Sequence, residues 1–507
     1  MSKPSRRPNR EQIKAQRREK KKQEAALRER QEQAGLKPSI PPALPNACCA
    51  YATVDEEREA RTQAATGQLG VLRQQLPFLL RRLEKIPDPR APKRIRHKLT
   101  VLLLYGLLMF VFQFASRREV NREMTQPCFE QNLRLLFPEL ETLPHADTLY
   151  RLLRDIDVAQ LEELHLGMVE KLIRGKKFRR FLIQNAYPLA IDGTQKLGGD
   201  ILWDIEMLER THGQGESART QYYVYVLEAS LSFSNGMVIP LCSEFLGYGL
   251  GDSERQKQDC EQRAFERLAA RIKKRFPRLP LLLLLDGLYA TGPVIARCRE
   301  YHWDFMIVLQ DGSLGSVWEE FRGLLPLQPK NRLERTWNGR RQRFAWVEGI
   351  RYEYGANGRH HQTIHVVTCE ESWEELDEAS QLVTKHSLHA WISSRPLSRL
   401  NVHERCNLAA RARWGIESAF LVEKHQGYHY EHPFARDWNA MRGYHALMRL
   451  AHLFNTLARF AAHLKGFYAR LGVRGMIAFV RSTCASPWFE SATAKAAMEH
   501  PPNLRLE

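Results

Sequence analysis

Two aspartates in this chain follow strongly apolar segments, and each is followed at once by glycine. They are Asp192 in "AIDGT" and Asp286 in "LLDGL". A carboxylate that ends a buried strand is held at the edge of a sheet, where ligands bind in open α/β proteins. For either acid alone, a solvated strand end is the stronger interpretation. The shared pattern favours a paired role in one site.

A third acid, Glu417, lies in the helical segment "RWGIESAFLVEKHQGY". Arg413 precedes it by four residues and Lys424 follows it by seven, so all three share one face of the helix. An acid between two bases on one stripe can bind a metal ion and a phosphate together. An ordinary salt-bridged stripe is the alternative.

The three acids are of the kind that bind hard divalent cations. Mg²⁺ prefers oxygen ligands and is often held by one or two carboxylates together with substrate phosphates. Two ions about 4 Å apart can activate an attacking hydroxyl and stabilise the leaving oxygen of a phosphodiester. Our hypothesis is that Asp192, Asp286 and Glu417 are catalytic and hold two Mg²⁺ ions, with Mn²⁺ as an alternative metal.

The segments from residue 187 to residue 310 predict the elements that position these acids. Their order is strand, strand, strand, helix, strand, helix, strand, with a hairpin turn at residues 234–236. This order fits an α/β fold with an RNase H-like mixed sheet and flanking helices. In that topology the first and fourth strands lie side by side. Asp192 and Asp286, predicted at the ends of these strands, would then converge.

The remaining segments predict further domains. An α-helical N-terminal domain precedes the sheet, and a second helical segment returns after a β-rich insertion. The predicted organisation is a basic disordered or isolated-helical arm (1–45), a linker (46–70), a helical DNA-binding domain (71–165), the first part of the catalytic core (180–310), the β-rich insertion (311–388), the second part of the core with the Glu417 helix (389–466) and a C-terminal tail (467–507).

The charge balance indicates a polyanionic partner. The 507 residues carry a net charge of +18, and residues 1–45 hold thirteen Lys or Arg against five acids. Such an excess most often serves nucleic acid. A basic protein kept soluble by its surface charge is the alternative.

Other features of the sequence limit the expected cellular location and the kinds of cofactor and partner. No apolar stretch follows the N-terminal charges, so these residues are not expected to be a signal peptide. The nine cysteines include no C-x-x-C pair, which disfavours a zinc ribbon and fits reduced thiols in a cytoplasm. The apolar run 99–114 is shorter than the roughly 20 residues that span a bilayer. It is expected to be a buried helix, and no membrane partner is expected.

Three segments together resemble the DDE transposases of bacterial insertion sequences: "AIDGTQ", "LLLDGLYATGP" and "RWGIESAFLVEKHQGYHYEH". The resemblance is to the group with a β-rich insertion between the second acid and the glutamate, and it covers roughly residues 180–460. That group's signature is Tyr, two residues, Arg, three residues, Glu, six residues, Lys. Arg413, Glu417 and Lys424 match its spacing, and Ala410 occupies the tyrosine position.

The resemblance implies an enzyme that binds terminal inverted repeats, cuts strands at the element ends with divalent metal, and joins the 3′-hydroxyls to target DNA. It implies a homodimer on paired ends, located on DNA. It also implies that Arg413 and Lys424 contact DNA phosphates. We expect Tyr428 to lie at the DNA as well and to brace the helix of Glu417. Trp337 or Trp346 would stack on a flipped base, with core packing as the alternative for each.

Three other functions compete with this interpretation. One is an RNase H-like nuclease that cuts without joining, and a second is a catalytically inactive, transposase-derived DNA-binding protein. The third, a basic RNA-binding protein, is disfavoured because no aromatic strand motif for single strands is present. The insertion and the basic helical domain favour the transposase, and the presence of all three acids argues against the inactive derivative.

Overall fold

The computed structural model describes residues 10–36, 48–215, 218–250, 258–377 and 381–507. The chain divides into two compact units, and each is described by itself. The larger unit comprises Leu44–Leu284 and Arg411–Glu507, and the smaller unit comprises Met1–Ala43 and Leu285–Ala410.

Seven helices precede the first strand of the described chain, and four helices follow the last strand. The helices are α1 (Arg10–Gln33), α2 (Val54–Leu83), α3 (Leu99–Val111), α4 (Arg117–Met124), α5 (Pro127–Leu136), α6 (Ala146–Asp155), α7 (Val158–Arg174), α8 (Glu261–Arg275), α9 (Gly292–Glu300), α10 (Gly315–Leu324), α11 (Trp414–His425), α12 (Trp438–Arg459), α13 (Lys465–Cys484) and α14 (Ser491–Glu499). The strands are β1 (Tyr187–Gly199), β2 (Leu208–His212), β3 (Arg219–Ser232), β4 (Val238–Phe245), β5 (Leu281–Leu285), β6 (Asp304–Val308), β7 (Arg332–Trp337), β8 (Arg340–Tyr354), β9 (His360–Leu376) and β10 (Leu382–Ser393).

Strand β1 is central in the sheet of the larger unit. It pairs in parallel with β5, from Tyr187↔Leu281 to Ala190↔Leu284. On its other edge it pairs antiparallel with β3 as far as Gly199. Strand β3 also pairs with β2 and β4. The protein is therefore a mixed α/β structure with an open mixed sheet and many helices, and the predicted neighbourhood of the first strand and the strand before Asp286 is confirmed.

The hairpin turn predicted at residues 234–236 is confirmed, and it joins β3 to β4. Gly236 has a φ of +84°, which glycine adopts without steric cost. Its N–H donates to the carbonyl of Phe233, and this bond closes the turn. Every residue of β4 is buried, as expected for a strand covered on both faces.

The helices of the larger unit form an apolar core around α12. This helix contacts α3, α6 and α7. Two glycines permit close approach: a Cβ added at Gly106 of α3 would lie 2.8 Å from Leu447 of α12, and one at Gly443 would lie 2.9 Å from Leu153 of α6. Every residue of α3 except Thr100 is buried, as predicted for the apolar run 99–114. Among the helices described, none is both long and apolar enough to cross a membrane.

The smaller unit is built on an antiparallel sheet. Its strand order is β6-β10-β9-β8-β7. Strands β7, β8 and β9, with helix α10, lie within the predicted β-rich insertion, and β10 runs across its predicted end. Strand β8 turns into β9 at Gly355 and Gly358, both of which have positive φ values. Helix α1 buries no residue in this unit, and its Arg30 pairs with Glu374 at 2.6 Å.

Three predictions of local structure differ from the observed elements. The linker expected over 46–70 is largely the first half of α2, because Thr53 caps this helix and Ala64, Ala65 and Leu69 give it a buried face. The loosely ordered tail expected from about residue 480 contains the end of α13 and all of α14. Both helices pack on α2 and α5. The extra short strand β2 was not predicted.

The position of Asp192 also differs from the prediction. This residue does not end its strand, because β1 continues through seven more residues to Gly199. The continuation is stabilised by β3 on one edge, with Asp192 opposite Glu228. The pairing with β5 stops earlier, at Ala190. Asp192 therefore lies just past the end of the parallel pair while remaining inside a strand.

Candidate active site

The first half of β1 fixes the backbone at Asp192. Leu189, Ala190 and Ile191 are fully buried, and the strand then becomes partly exposed at Asp192. One carboxylate oxygen of Asp192, Oδ1, accepts a hydrogen bond of 2.9 Å from the N–H of Gly193. The other oxygen, Oδ2, is directed toward Arg413. The side chain of Asp192 is 17% exposed, so it is held firmly and can still be reached from solvent.

The glycine after Asp192 is required by close packing on the opposite face of β1. A Cβ at Gly193 would lie 2.7 Å from the hydroxyl of Tyr225 and 2.8 Å from Cδ of Glu261. These two side chains are themselves joined, since the Tyr225 hydroxyl donates to Glu261 at 2.7 Å. The "DG" pair thus combines an accessible carboxylate with a tightly packed neighbour.

Arg413 and Glu417 approach Asp192 from the start of α11. A 3₁₀ turn over Ala410–Arg413 leads directly into this helix. Arg413 lies 3.3 Å from Asp192 through Nη1 and 2.7 Å from Glu417 through Nη2. Its side chain is 9% exposed, and that of Glu417 is 34% exposed. Asp192, Arg413 and Glu417 are called the open triad below.

The start of α11 packs against β3 and β4 through a glycine. A Cβ at Gly415 would lie 2.2 Å from Oγ of Ser232 and 3.0 Å from Cγ2 of Val238. The Ser232 hydroxyl also donates to the carbonyl of Ala412, one residue before Arg413. These contacts set the height of α11 above the sheet, and hence the position of Glu417 relative to Asp192.

Lys424 and Tyr428 lie farther along the same segment and do not join the open triad. Lys424 forms an ion pair of 3.1 Å with Glu431. Tyr428 is only 2% exposed, its hydroxyl accepts a bond from Asn455, and burial raises its pKa. This placement contradicts the expected DNA contact of Tyr428, because a ring packed in the core cannot reach DNA. Its expected bracing role fits, since Asn455 belongs to α12.

Asp286 belongs to the smaller unit, directly after β5. Its Oδ1 accepts a hydrogen bond of 2.9 Å from the N–H of Leu288 and caps a 3₁₀ turn over Gly287–Tyr289. The side chain is partly exposed. The glycine after it is again in close contact, since a Cβ at Gly287 would lie 2.7 Å from the side chain of Gln310. In both Asp-Gly pairs, therefore, a partly exposed carboxylate is followed by a glycine that packs closely against a side chain.

The two tryptophans of the insertion differ in exposure. Trp346 is 1% exposed in β8, which fits the core-packing alternative. Trp337 ends β7, is half-buried, and its ring centroid lies 6.2 Å from that of His403. Of the two, Trp337 is the one that a base could reach.

A second arginine bridges two carboxylates in the interior of the larger unit. Glu228 is the register partner of Asp192 on β3, and Glu423 lies on α11 six residues after Glu417. Arg449 of α12 lies 3.2 Å from Glu228 and 2.8 Å from Glu423. Glu228, Arg449 and Glu423 are called the buried triad below, because both carboxylates are 0% exposed and Arg449 is 3% exposed.

Further polar groups contact the two carboxylates of the buried triad. Ser243 donates to Glu228 at 2.6 Å, and Tyr430 donates to it at 3.1 Å. His445 lies 3.1 Å from Glu228 and His452 lies 2.5 Å from Glu423. Burial alone would raise the pKa of Glu228, but Arg449 and His445 outweigh it and hold the pKa at about 2. The pKa of Glu423 is lowered against the same burial cost by Arg449 and His452.

The buried triad was missed in the sequence, although a signal was present. Glu228 interrupts the apolar strand pattern "YVLEASLS", and Arg449 interrupts the apolar helix pattern "HALMRLAHLF". A charged residue at a position that periodicity assigns to the core requires a buried partner. Pairing the two interruptions would have indicated this contact.

The side chains of the open triad can be tested as ligands for a divalent cation. Within the described ranges, no cluster of three or more His, Cys, Asp and Glu side chains is placed to hold a metal. Asp192 and Glu417 nevertheless supply the carboxylate oxygens that Mg²⁺ prefers. In this structure the guanidinium of Arg413 is the cation that joins them. The donor chemistry therefore fits a metal at these acids.

Comparison with protein families gives two matches. Residues 80–168 match a family described as DDE_Tnp_1-associated, and residues 244–454 match the transposase DDE domain. The second match includes Asp286 and Glu417 and begins after Asp192. A comparison with curated proteins finds no match. The succession of an associated domain and a DDE domain supports a DDE-family transposase.

Proposed function

We propose that this protein is a catalytically active DDE transposase with an RNase H-like core. It binds the ends of its element and catalyses metal-dependent strand cleavage followed by strand transfer. The observation that carries the proposal is the open triad, in which Asp192 and Glu417 come from distant parts of the chain and share one cation.

The strand register supports Asp286 as the third acid. The last registered pair of β1 and β5 is Ala190↔Leu284. Counting two residues onward in the sequence from each member reaches Asp192 within β1 and Asp286 directly after β5. Both are followed by a glycine in close contact with a side chain. Ligands in open α/β sheets bind outside the carboxyl ends of the strands.

In this proposal Asp192, Asp286 and Glu417 hold two Mg²⁺ ions, or Mn²⁺ in their place. Bound divalent ions supply Lewis-acid stabilisation of the attacking and leaving oxygens of the phosphodiester. The chain itself positions the carboxylates: β1 fixes Asp192, and the contacts of Gly415 with β3 and β4 fix the start of α11 that carries Glu417.

Arg413 and Lys424 bind DNA phosphates in this proposal. Arginine offers five N–H donors in a planar fork, so Arg413 can contact a phosphate oxygen beside the carboxylates. The Lys424–Glu431 pair is partly exposed, with Glu431 55% exposed. Such pairs contribute little stability and exchange partners readily. The DNA partners are the terminal inverted repeats and the target, and the protein acts on them as a homodimer.

The test is a cleavage and joining assay. The purified protein is incubated with a DNA fragment that carries the sequence flanking its own gene, with and without Mg²⁺. We expect nicks at the element ends and joined products in Mg²⁺, and neither product from Asp192→Asn, Asp286→Asn or Glu417→Gln. Asp155→Asn, at a surface acid paired with Arg154, is the matched control and should cut normally.

Two results would contradict the proposal in different ways. Cleavage without any joined product would indicate a nuclease. Tight DNA binding with no cleavage in Mg²⁺ or Mn²⁺ would indicate a DNA-binding derivative of a transposase.

A further inference from the structure

A short basic loop connects α2 to α3 in the larger unit, over residues 87–98, "PDPRAPKRIRHK". It contains five basic residues and one acid. Ile86 before the loop and Leu99 after it are both buried, so its two ends are anchored in the helical core. Residues 91–96 between these anchors are all exposed. The loop therefore exposes its basic side chains to solvent while both of its ends are held in the helical core.

The shape of the basic loop is set by one arginine. Arg90 donates to both carboxylate oxygens of Asp88, at 2.8 and 2.6 Å, and also to the carbonyl of His97 at 2.9 Å. It therefore ties the beginning of the loop to its end. The end of the loop is also attached to the segment between α5 and α6. The His97 ring lies 2.7 Å from the Thr142 hydroxyl, and Lys98 donates to Glu141 at 2.7 Å.

Prolines restrict the same loop further. Pro87, Pro89 and Pro92 fix three φ angles within six residues. A loop that is already ordered loses little conformational entropy when it binds a partner. The attachments and the prolines together make this a preorganised surface and not a flexible tether.

Among the residues that the structure describes, no acid pairs with the charges at the tip of the loop. Arg90 pairs with Asp88 and Lys98 pairs with Glu141. For Lys93, Arg94 and Arg96, the part of the chain that the structure describes offers no carboxylate within ion-pair distance. The loop therefore uses two of its basic residues to hold its shape and presents the other three to solvent.

We propose that the basic loop binds the phosphate backbone of duplex DNA through Lys93, Arg94 and Arg96. This inference rests on the proposed function, and it assigns a DNA contact to the region that matches the DDE_Tnp_1-associated family. Three cations within four residues fit the closely spaced charges of a duplex backbone. These contacts hold the DNA in place without reading its sequence.

An anionic membrane surface is the competing partner, and the loop is less suited to it. Peripheral membrane segments combine basic residues with an extended apolar face that inserts among the lipids. The exposed part of this loop has one large apolar side chain, Ile95, which is 37% exposed. Prolines and cations occupy most of the remaining positions.

The test is the salt dependence of DNA affinity, measured by fluorescence anisotropy on duplex DNA carrying the element end. The full-length protein is compared with the triple variant Lys93→Gln/Arg94→Gln/Arg96→Gln. Each lost phosphate contact should make the plot of log affinity against log salt shallower by about one unit, so the triple variant should lose about three. Its thermal unfolding should not change, since all three side chains are exposed.

The matched control removes the same charge elsewhere in the larger unit. Arg122, Arg154 and Arg174 are 71%, 50% and 79% exposed, and each pairs with a nearby acid on its own helix. The triple variant Arg122→Gln/Arg154→Gln/Arg174→Gln should keep nearly the slope of the unchanged protein. Equal slopes for the two triple variants would overturn the proposal, because net charge alone would then explain the effect.

Two further outcomes separate this inference from the proposed function. If the loop variant loses binding to vesicles of equal parts phosphatidylcholine and phosphatidylglycerol while its DNA slope is unchanged, the loop is a membrane contact and the proposal is wrong. If the slope falls as expected but the unchanged protein never cuts DNA, the loop proposal stands and the catalytic one fails. No DNA binding by the unchanged protein would overturn both.

Discussion

The open triad and the buried triad are built from the same kinds of residue, and comparing them bears on the catalytic role proposed for the open triad. In each, an arginine joins a carboxylate on the sheet to a glutamate on α11. The two sheet acids are register partners on adjacent strands, so they lie on the same face. What differs is solvent access: both acids of the open triad are partly exposed, and those of the buried triad are not.

This difference in exposure changes how much each set of ion pairs contributes to the stability of the protein. Buried carboxylates must keep their partners, because an unpaired charge in the interior is very costly. Partly exposed ion pairs contribute little and can exchange partners for a metal or a phosphate. The buried triad therefore holds α11 in place, and the open triad near the start of that helix is accessible for the proposed chemistry. The predictions below test this division.

The largest loss of stability should follow from removing the arginine of the buried triad. Arg449→Gln leaves two buried carboxylates without their shared cation, so the free energy of unfolding should fall by about 3–5 kcal/mol. Urea denaturation followed by circular dichroism measures this. Arg442→Gln on the same helix is the control, because its pair with Glu162 is partly exposed, and it should cost less than about 1 kcal/mol. Equal losses would contradict the division.

The buried triad should also make stability depend on pH. The pKa of Glu228 falls from 4.5 to about 2 on folding, so its contribution is complete above about pH 4.5 and is lost as pH falls toward 2. A shift of that size is worth about 3 kcal/mol. Urea denaturation between pH 6 and pH 3 should show a steeper decline for the unchanged protein than for Glu228→Gln. Parallel declines would show that Glu228 does not titrate as proposed.

The link between the two triads can be weakened at Gly415. Gly415→Ala places a Cβ 2.2 Å from Oγ of Ser232, so it should destabilise the protein by about 1–3 kcal/mol and lower cleavage by displacing α11. Gly466→Ala is the control, since no atom lies within 4 Å of its added Cβ. Adding Ser232→Ala should recover part of the loss. No recovery would mean that the clash is not the cause.

The smallest effect on stability should come from the arginine of the open triad. Arg413→Gln should lower the free energy of unfolding by less than Arg449→Gln does, because Asp192 and Glu417 stay partly solvated when the buried guanidinium is removed, whereas Glu228 and Glu423 do not. Thermal unfolding of this variant beside Arg449→Gln gives the direct contrast. A loss at Arg413 as large as that at Arg449 would show that the open triad is a structural element.

The sequence predicted much of the fold because local patterns carried the information. The apolar strand before Asp192, the turn at Gly236 and the apolar run of α3 each had a clear signature and were found as expected. The extent of β1 beyond Asp192 could not be predicted, because it depends on pairing with β3. The start of α2 was missed because small residues such as Ala64 and Ala65 form its buried face.

The sequence indicated residue types for the candidate site but not how those residues are arranged. The spacing of Arg413 and Glu417 indicated one helical face, and their ion pair follows from it. That Arg413 also reaches Asp192, and that Tyr428 turns into the core, depend on how α11 and α12 pack on the sheet. Sequence patterns of single segments contain no such information.

The most direct test compares two glutamates on one helix. Glu417→Gln and Glu423→Gln are prepared together, and each is assayed for Mg²⁺-dependent cleavage of element-end DNA and for its free energy of unfolding. We predict that Glu417→Gln loses cleavage by at least about 10²-fold and keeps its stability, because it changes a reacting site and not the core. Glu423→Gln should lose stability. Normal cleavage by Glu417→Gln, or cleavage and stability lost together in that variant, would contradict the assignment of the open triad to catalysis.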